Sequence, residues 1–291
     1  MKAAAHRAGV VAILGPPNAG KSTLLNHVLG EKLAIVTALP QTTRSRILGI
    51  HSIEGAQILF LDTPGLHVGG KALNRALNEQ VAEAAADCDL ALLLVDLTRG
   101  WNETHADLHA RLAARGTPTL VVGTKLDRPG AREAPFPPPG VGPAYRISAR
   151  SGEGVSALVA AVVERLPESP PLYPEDDLSD RPLRFLVAEL VREAAFEALA
   201  QELPYALAVE VVEFDESRAD LVRIRANLLV ERQSQKAIVI GRGGAMVKRI
   251  GTRAREQIEA LLEQRVHLEL RAKVEPRWAK RPSRMRALGY V

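Results

Sequence analysis

A single cysteine, Cys88, in a chain of 291 residues leaves no internal disulfide to be made. No apolar run approaches the roughly eighteen residues that cross a bilayer as a helix, the opening MKAAAHRAG lacks the longer apolar segment of a signal peptide, and no segment repeats. These absences exclude disulfide-stapled and helical membrane-spanning classes and predict a soluble, cytoplasmic chain. Its length allows two domains of ordinary size, each able to bury its own core. Cys88 sits between an Ala-rich helical run and an apolar strand, and reads as a small core residue rather than a nucleophile.

A large charge of one sign is also missing, since the net charge is only +4, but that figure conceals an asymmetry. Residues 1–180 hold 17 basic against 19 acidic side chains, whereas residues 181–291 hold 21 against 15, and from Gly241 onward the ratio is 13 to 5. A basic half joined to a neutral half calls for a polyanionic partner on the basic side.

What is present is punctuated by strand and helix patterns. In the first half buried strands are predicted at Val10–Leu14, Ile47–Ile50, Gln57–Leu61, Leu90–Val95, Leu120–Gly123 and Ala144–Ile147. Helices are predicted at Ser22–Leu29, Ala72–Ala86, Glu103–Ala114 and Val155–Leu166. Such alternation predicts an α/β fold with a mainly parallel sheet whose ligands gather at the carboxyl ends of the strands. Ala134–Pro143, rich in proline, reads as a surface excursion. The acidic, proline-rich stretch Pro167–Pro182 marks the domain boundary, giving 1–170 as the first domain, 171–182 as linker and 183–291 as a smaller α+β domain with a basic tail. There the pattern gives a helix at Leu183–Leu203, strands at Ala206–Phe214 and Asp220–Glu231, a helix at Ala245–Glu263 and a strand at Val266–Val274.

The octapeptide GPPNAGKS fits the spacing GxxxxGK[ST] between a buried strand and a helix, the context in which backbone N–H groups wrap phosphates. Its members are Gly15, Pro16, Pro17, Asn18, Ala19, Gly20, Lys21 and Ser22, with Thr23 next in the helix. Lys21 reaches the terminal phosphates and the Ser22 hydroxyl holds Mg²⁺. Asp62, Thr63, Pro64 and Gly65 follow the strand ILFL: a carboxylate at a strand end holds Mg²⁺ through water, and the glycine N–H senses the γ-phosphate. Thr124, Lys125 and Asp127 follow TLVVG. An Asp carboxylate there accepts from both guanine N–H groups and rejects adenine, while the Lys125 stem lies along the base. Ser148, Ala149 and Arg150 precede a glycine turn and helix, with the Ala149 N–H offered to the guanine carbonyl.

These motifs, with QTTR at Gln41–Arg44, resemble the five-motif set of translation-factor-type GTPases. QTTRSRILGI, DTPGLHVGGKALNRALN and the later GRGG together resemble the Era family. The resemblance implies a P-loop GTPase domain followed by a type II KH domain, with GTP/GDP and Mg²⁺ as ligands. It implies that Thr42 or Thr43 closes over Mg²⁺, with Thr43 favoured. The family pattern has Asn where this chain has Thr124, a shorter side chain that cannot make both amide bonds. Leu66 stands where many GTPases carry a water-orienting Gln, so hydrolysis is expected to rest on Lys21, Thr43, Gly65, Mg²⁺ and help from elsewhere. Asn18 resembles the residue that holds K⁺ in potassium-activated relatives, and equally suits a left-handed turn. His67 reads as a surface residue of the switch.

In the second half, AIVIGRGGAMVKRIG has the pattern of a KH domain, in which a GxxG turn between two short helices grips the backbone of about four nucleotides. Gly241, Gly243 and Gly244 allow close approach, and Arg242, Lys248 and Arg249 add charge. Periodicity leaves Ala237–Ile240 as strand or helix; the resemblance favours helix. In the tail RWAKRPSRMR, Arg277, Lys280 and Arg281 flank Trp278, which either stacks on an unpaired base or packs back on its domain. The Era resemblance implies a monomer that binds the 3′ end of 16S ribosomal RNA and assists 30S subunit assembly. The basic tail also suits peripheral contact with the inner membrane. Two rival readings are a regulatory GTPase whose KH-like domain binds protein or membrane, and a nearly inactive GTP-binding scaffold.

Overall fold

The computed structural model describes residues 6–37, 46–65, 81–199 and 203–290. The chain divides into two compact units, one comprising Met1–Ala34 and Thr43–Asp180, the other Ile35–Thr42 and Arg181–Val291.

Six strands form the sheet of the first unit: β1 (Arg7–Leu14), β2 (Ile47–Ile53), β3 (Ala56–Asp62), β4 (Leu90–Asp96), β5 (Thr119–Thr124) and β6 (Ala144–Arg146). Their order is β2-β3-β1-β4-β5-β6. Every pairing is parallel except β2 with β3, so the expected mainly parallel sheet is found. β3 and β4 are buried at every position, as strands covered on both faces must be. Helix α1 (Lys21–Leu29) lies between β1 and β2 and α2 (Glu103–Ala114) between β4 and β5, while α3 (Val155–Arg165) follows β6. Of the helix expected at Ala72–Ala86 only 81–86 lie within the described residues, and these are helical. Ala84, Ala85, Leu108 and Leu112 pack with Ala12, Leu14, Leu59, Leu61 and Leu93 on one face of the sheet. Cys88 is half-buried against that core, and burial raises its thiol pKa, in keeping with a packing role. At the start of α2 the Asn102 side chain accepts from the His105 N–H, and Trp101 stacks on the buried His105 ring at 5.4 Å.

The acidic proline-rich stretch 167–182 does not form regular structure, but several of its backbone groups bond to the first sheet. Buried Gln57 accepts from the Leu172 and Tyr173 N–H groups at 2.7 and 2.9 Å and donates to the Tyr173 carbonyl at 2.9 Å. Farther along, the Leu178 carbonyl accepts from Ile50 N–H at 2.9 Å, and Ser179 Oγ donates to the Leu48 carbonyl at 2.6 Å.

The second unit runs α4 (Leu183–Ala198), α5 (Leu203–Ala206), β7 (Ala208–Asp215), β8 (Val222–Val230), α6 (Gln233–Ile240), α7 (Ala245–Leu262), β9 (Val266–Val274) and α8 (Pro282–Ala287). Its sheet has the order β7-β8-β9, with β7 antiparallel and β9 parallel to β8. Ile250, Ala254 and Ile258, one turn apart on α7, pack with Val187, Leu190, Val191 and Ala194 of α4 and with Ile224, Ala226 and Leu228 of β8. The helix expected to reach Leu203 ends at Ala198, where Leu199 turns extended at φ −95°. Pro204, which has no N–H to donate, fits only the first turn of a helix and so sits in a new one, delaying β7 to Ala208. β8 stops at Val230 rather than Glu231, because the Glu231 and Arg232 N–H groups both donate to Gln235 Oε1 at 3.0 Å. Residues Ala237–Ile240 are helical within α6.

Candidate nucleotide site and nucleic-acid interface

Four sequence motifs spread over more than a hundred residues meet at the carboxyl edge of the first sheet. Gly15–Gly20 leaves β1, Asp62–Gly65 ends β3, Thr124–Asp127 ends β5 and Ser148–Arg150 follows β6, which is where a doubly wound sheet presents its ligand site.

The phosphate loop is built on backbone conformations that side chains resist. Gly15 has φ 147°, Asn18 φ 62° and Gly20 φ 96°. A Cβ on Gly15 would meet the Leu94 carbonyl at 2.8 Å, and one on Gly65 would meet Pro17 N at 2.7 Å. Thus Gly65 lies so close to Pro17 of the phosphate loop that no side chain fits between them. Asn18 adopts the left-handed conformation that suits a turn residue.

Lys21 is buried, and its Nζ donates to the carbonyls of Gly15 and Pro16 at 3.1 and 3.0 Å. Burial pulls its pKa down to about 8, partly offset by the Asp62 carboxylate. An amine so buried is the electrostatic counterpart of an anion in the loop, so a polyphosphate fits. Ser22 Oγ donates to Asp62 Oδ2 at 2.7 Å. A hydroxyl and a carboxylate side by side are the hard oxygen ligands that Mg²⁺ takes alongside phosphate and water. Among the described residues no group of three His, Cys, Asp or Glu could hold a metal by itself. Thr63 is a brace: its buried hydroxyl donates to the Ile13 carbonyl at 2.8 Å, tying β3 to β1.

On the base side, Ser148 Oγ donates to Asp127 Oδ1 at 2.7 Å, and this bond holds the Asp127 carboxyl below its usual pKa. The carboxylate is therefore aimed and ionised. Ala149 is buried and Arg150 exposed. Lys125, at φ 63°, donates to Asp96 Oδ2 at 2.7 Å. Burial pushes Asp96 up, but hydrogen bonds from Lys125 and Thr98 outweigh it and the pKa ends lowered. Sequence reasoning missed Asp96, which sits at the end of β4 with no motif around it. Thr124 Oγ1 donates to the Ala19 carbonyl at 2.7 Å and lies 3.2 Å from the Val95 carbonyl. A single hydroxyl thus links the phosphate loop to the end of β5. Thr42, Thr43, Leu66 and His67, together with Gln41 and Arg44, lie outside the described residues.

In the second unit the GRGG turn joins α6 to α7 with positive φ at Gly241, Gly243 and Gly244, at 73°, 58° and 80°. A Cβ on Gly241 would strike Met246, whereas Gly243 and Gly244 face open space, the surface a sugar-phosphate backbone needs. Arg242, Lys248 and Arg249 are exposed around it, and the adjacent Ile250 is fully buried. Of the tail cations, Arg277 and Lys280 are exposed, while Arg281 pairs with Glu275 at 2.5 Å. Of the two readings of Trp278 the structure bears out packing: it is fully buried, donates from Nε1 to the Ala206 carbonyl at 3.1 Å and packs near the Tyr290 ring, so its placement among the RNA-binding residues is corrected and it offers no stacking face. An indole with its N–H satisfied by backbone is best housed in a core, which the tail sequence alone could not disclose.

A family model described as a 50S ribosome-binding GTPase matches residues 10–125, and a KH-domain model matches residues 202–279. The chain is 43% identical to the GTPase Era of Geobacter metallireducens, covering 98% of both chains. It is likewise 43% identical to that of Trichlorobacter lovleyi over the whole of both. Its fold superposes with a TM-score of 0.92 and 37% identity on Era in complex with MgGDPNP and nucleotides 1506–1542 of 16S ribosomal RNA, covering 98% of this chain and 99% of that one. A variant of Aquifex aeolicus Era bound to GDP and AlF4⁻ gives a TM-score of 0.93 at 37% identity, with coverage of 98% and 99%. With both units, both glycine turns and the strand-end motifs in place, and relatives this similar from end to end, the chain belongs to the Era family of GTPases.

Proposed function

We propose that this chain binds and hydrolyses GTP and binds the 3′ end of 16S ribosomal RNA through its second unit, assisting assembly of the small ribosomal subunit. The observation that carries the reading is the likeness, over nearly the full length, to an Era structure holding both MgGDPNP and that RNA. Around the nucleotide, Gly15, Asn18, Ala19 and Gly20 donate backbone N–H groups to phosphate, Lys21 brings its ammonium to the terminal phosphates, and Asp127 accepts from guanine. Ser22 and Asp62, with Thr43, would hold Mg²⁺, which when bound offsets charge on the phosphoryl oxygens. Gly65 presents its N–H to the γ-phosphate, and Asn18 serves K⁺ binding as well as the turn. Equal hydrolysis rates in KCl and NaCl, with no loss in Asn18→Ala, would remove the K⁺ role.

Arg242, Lys248, Arg249, Arg277 and Lys280 meet RNA phosphates, with Gly241–Gly244 admitting the backbone. The protein works in the cytoplasm as a monomer, its basic tail allowing peripheral contact with the inner membrane. No helix among the described residues is long and apolar enough to cross one. Crosslinking in cells followed by sequencing of the bound RNA tests the assembly role. Enrichment of the 16S 3′ end is expected, and recovery of no ribosomal RNA above background would sink it.

A further inference from the structure

The irregular stretch between β5 and β6 is organised by one side chain. Arg146, the last residue of β6, donates from Nη1 to the carbonyls of Ala131 and Arg132 at 3.1 and 2.9 Å, and from Nη2 to those of Ala134 and Phe136 at 2.8 and 3.0 Å. Its guanidinium also lies 5.5 Å from the Phe136 ring centroid. Among the described residues it makes no ion pair; its hydrogen bonds go to carbonyls that would otherwise lack strand or helix partners. Two nitrogens of a planar fork hold four carbonyls at once in this way, more than the three N–H bonds of a lysine ammonium can serve.

What the staple holds bears directly on Asp127. Ala131 and Phe136 form a small core with Leu97 and Leu126, and Leu126 is the residue before Asp127. This core presses on β5 so closely that a Cβ on Gly123 would meet Leu97 at 2.7 Å and Phe136 at 3.0 Å. Leu126 N–H donates to the Ile147 carbonyl at 3.1 Å, beside Arg146. Arg132, whose carbonyl Arg146 binds, donates to both carboxylate oxygens of Glu153 at 2.9 and 2.7 Å, joining the excursion to the loop that carries Ser148.

We propose that Arg146 is a positioning residue for guanine selectivity: by stapling residues 131–136 it seats Phe136 and Ala131 against Leu126 and so fixes the angle at which Asp127 meets the base. The inference rests on Asp127 reading guanine. Its consequence is specific to the base, because only the bond to the exocyclic amine distinguishes guanine from hypoxanthine.

Dissociation constants of GDP and IDP, measured for the full chain and its Arg146→Lys variant, provide the test. The preference for GDP over IDP should fall about tenfold, the equivalent of one lost hydrogen bond. Equal weakening of both nucleotides, or none, would overturn the proposal, since a role in stability alone moves both together. Should Arg146→Lys fail to fold, Phe136→Leu, which trims the same small core, carries the same expectation and the same refutation. Asp127→Asn is the control for the underlying reading and should exchange GDP for XDP. If it does so while the Arg146 and Phe136 variants keep their preference, Arg146 alone loses its role; if it does not, the guanine reading fails with it.

Discussion

At the scale of single residues, Thr124 carries more than its place in the motif suggests. From sequence it is a shortened asparagine, but in the fold its hydroxyl joins the Ala19 carbonyl of the phosphate loop to the end of β5. Thr124→Val keeps the shape and deletes that donor. The expected result is a loss of about 1–3 kcal/mol of unfolding free energy in the first unit, with weaker GDP binding, measured by urea titration and calorimetry. Unchanged stability would show the bridge to be idle. The motif residues themselves were legible because phosphate and guanine chemistry dictates their identity and spacing. Asp96 was not, since its ion pair with Lys125 joins the ends of two different strands and leaves no local pattern. Arg146 was hidden for the same reason: its carbonyl partners are named by conformation and not by residue type.

At the scale of elements, periodicity located the strands and most helices because burial on one or two faces leaves a repeating signature. It failed at Leu199 and Pro204, where a helix breaks and restarts, and in the tail, where five cations masked a packed turn. There Arg284 donates to Glu210 Oε1 at 2.8 Å and to Glu275 Oε1 and Oε2 at 2.9 Å, securing α8 to β7 and to the end of β9. Hydrogen bonding from Arg284 holds both carboxyl groups below their usual value of 4.5. Groups lowered by folding stabilise it fully above their unfolded pKa, and that contribution disappears as pH falls through the folded values. Thermal melts of the second unit should therefore be level above about pH 5 and decline below it. Arg284→Gln should lower the neutral plateau by about 1 kcal/mol, the screened worth of such pairs, and flatten the acid decline. An unaltered acid limb in the variant would assign the pH dependence elsewhere.

For the molecule as a whole, the charge asymmetry seen in the sequence corresponds to two units with separate cores and different partners. The second unit carries the cations around its glycine turn, so RNA affinity should fall steeply with salt. Counterion release predicts that removing one phosphate contact, as in Arg249→Ala, makes the log–log salt slope shallower by about 0.7 for single-stranded RNA. A filter-binding series in KCl would measure this, and an unchanged slope would place Arg249 off the RNA path. The two tryptophans are also divided, one to each unit. Trp101 lies on His105 in the first, and Trp278 is fully buried in the second. The chain therefore has a built-in fluorophore for each half, and Trp101→Phe or Trp278→Phe leaves a protein whose intrinsic emission follows the unfolding of only one.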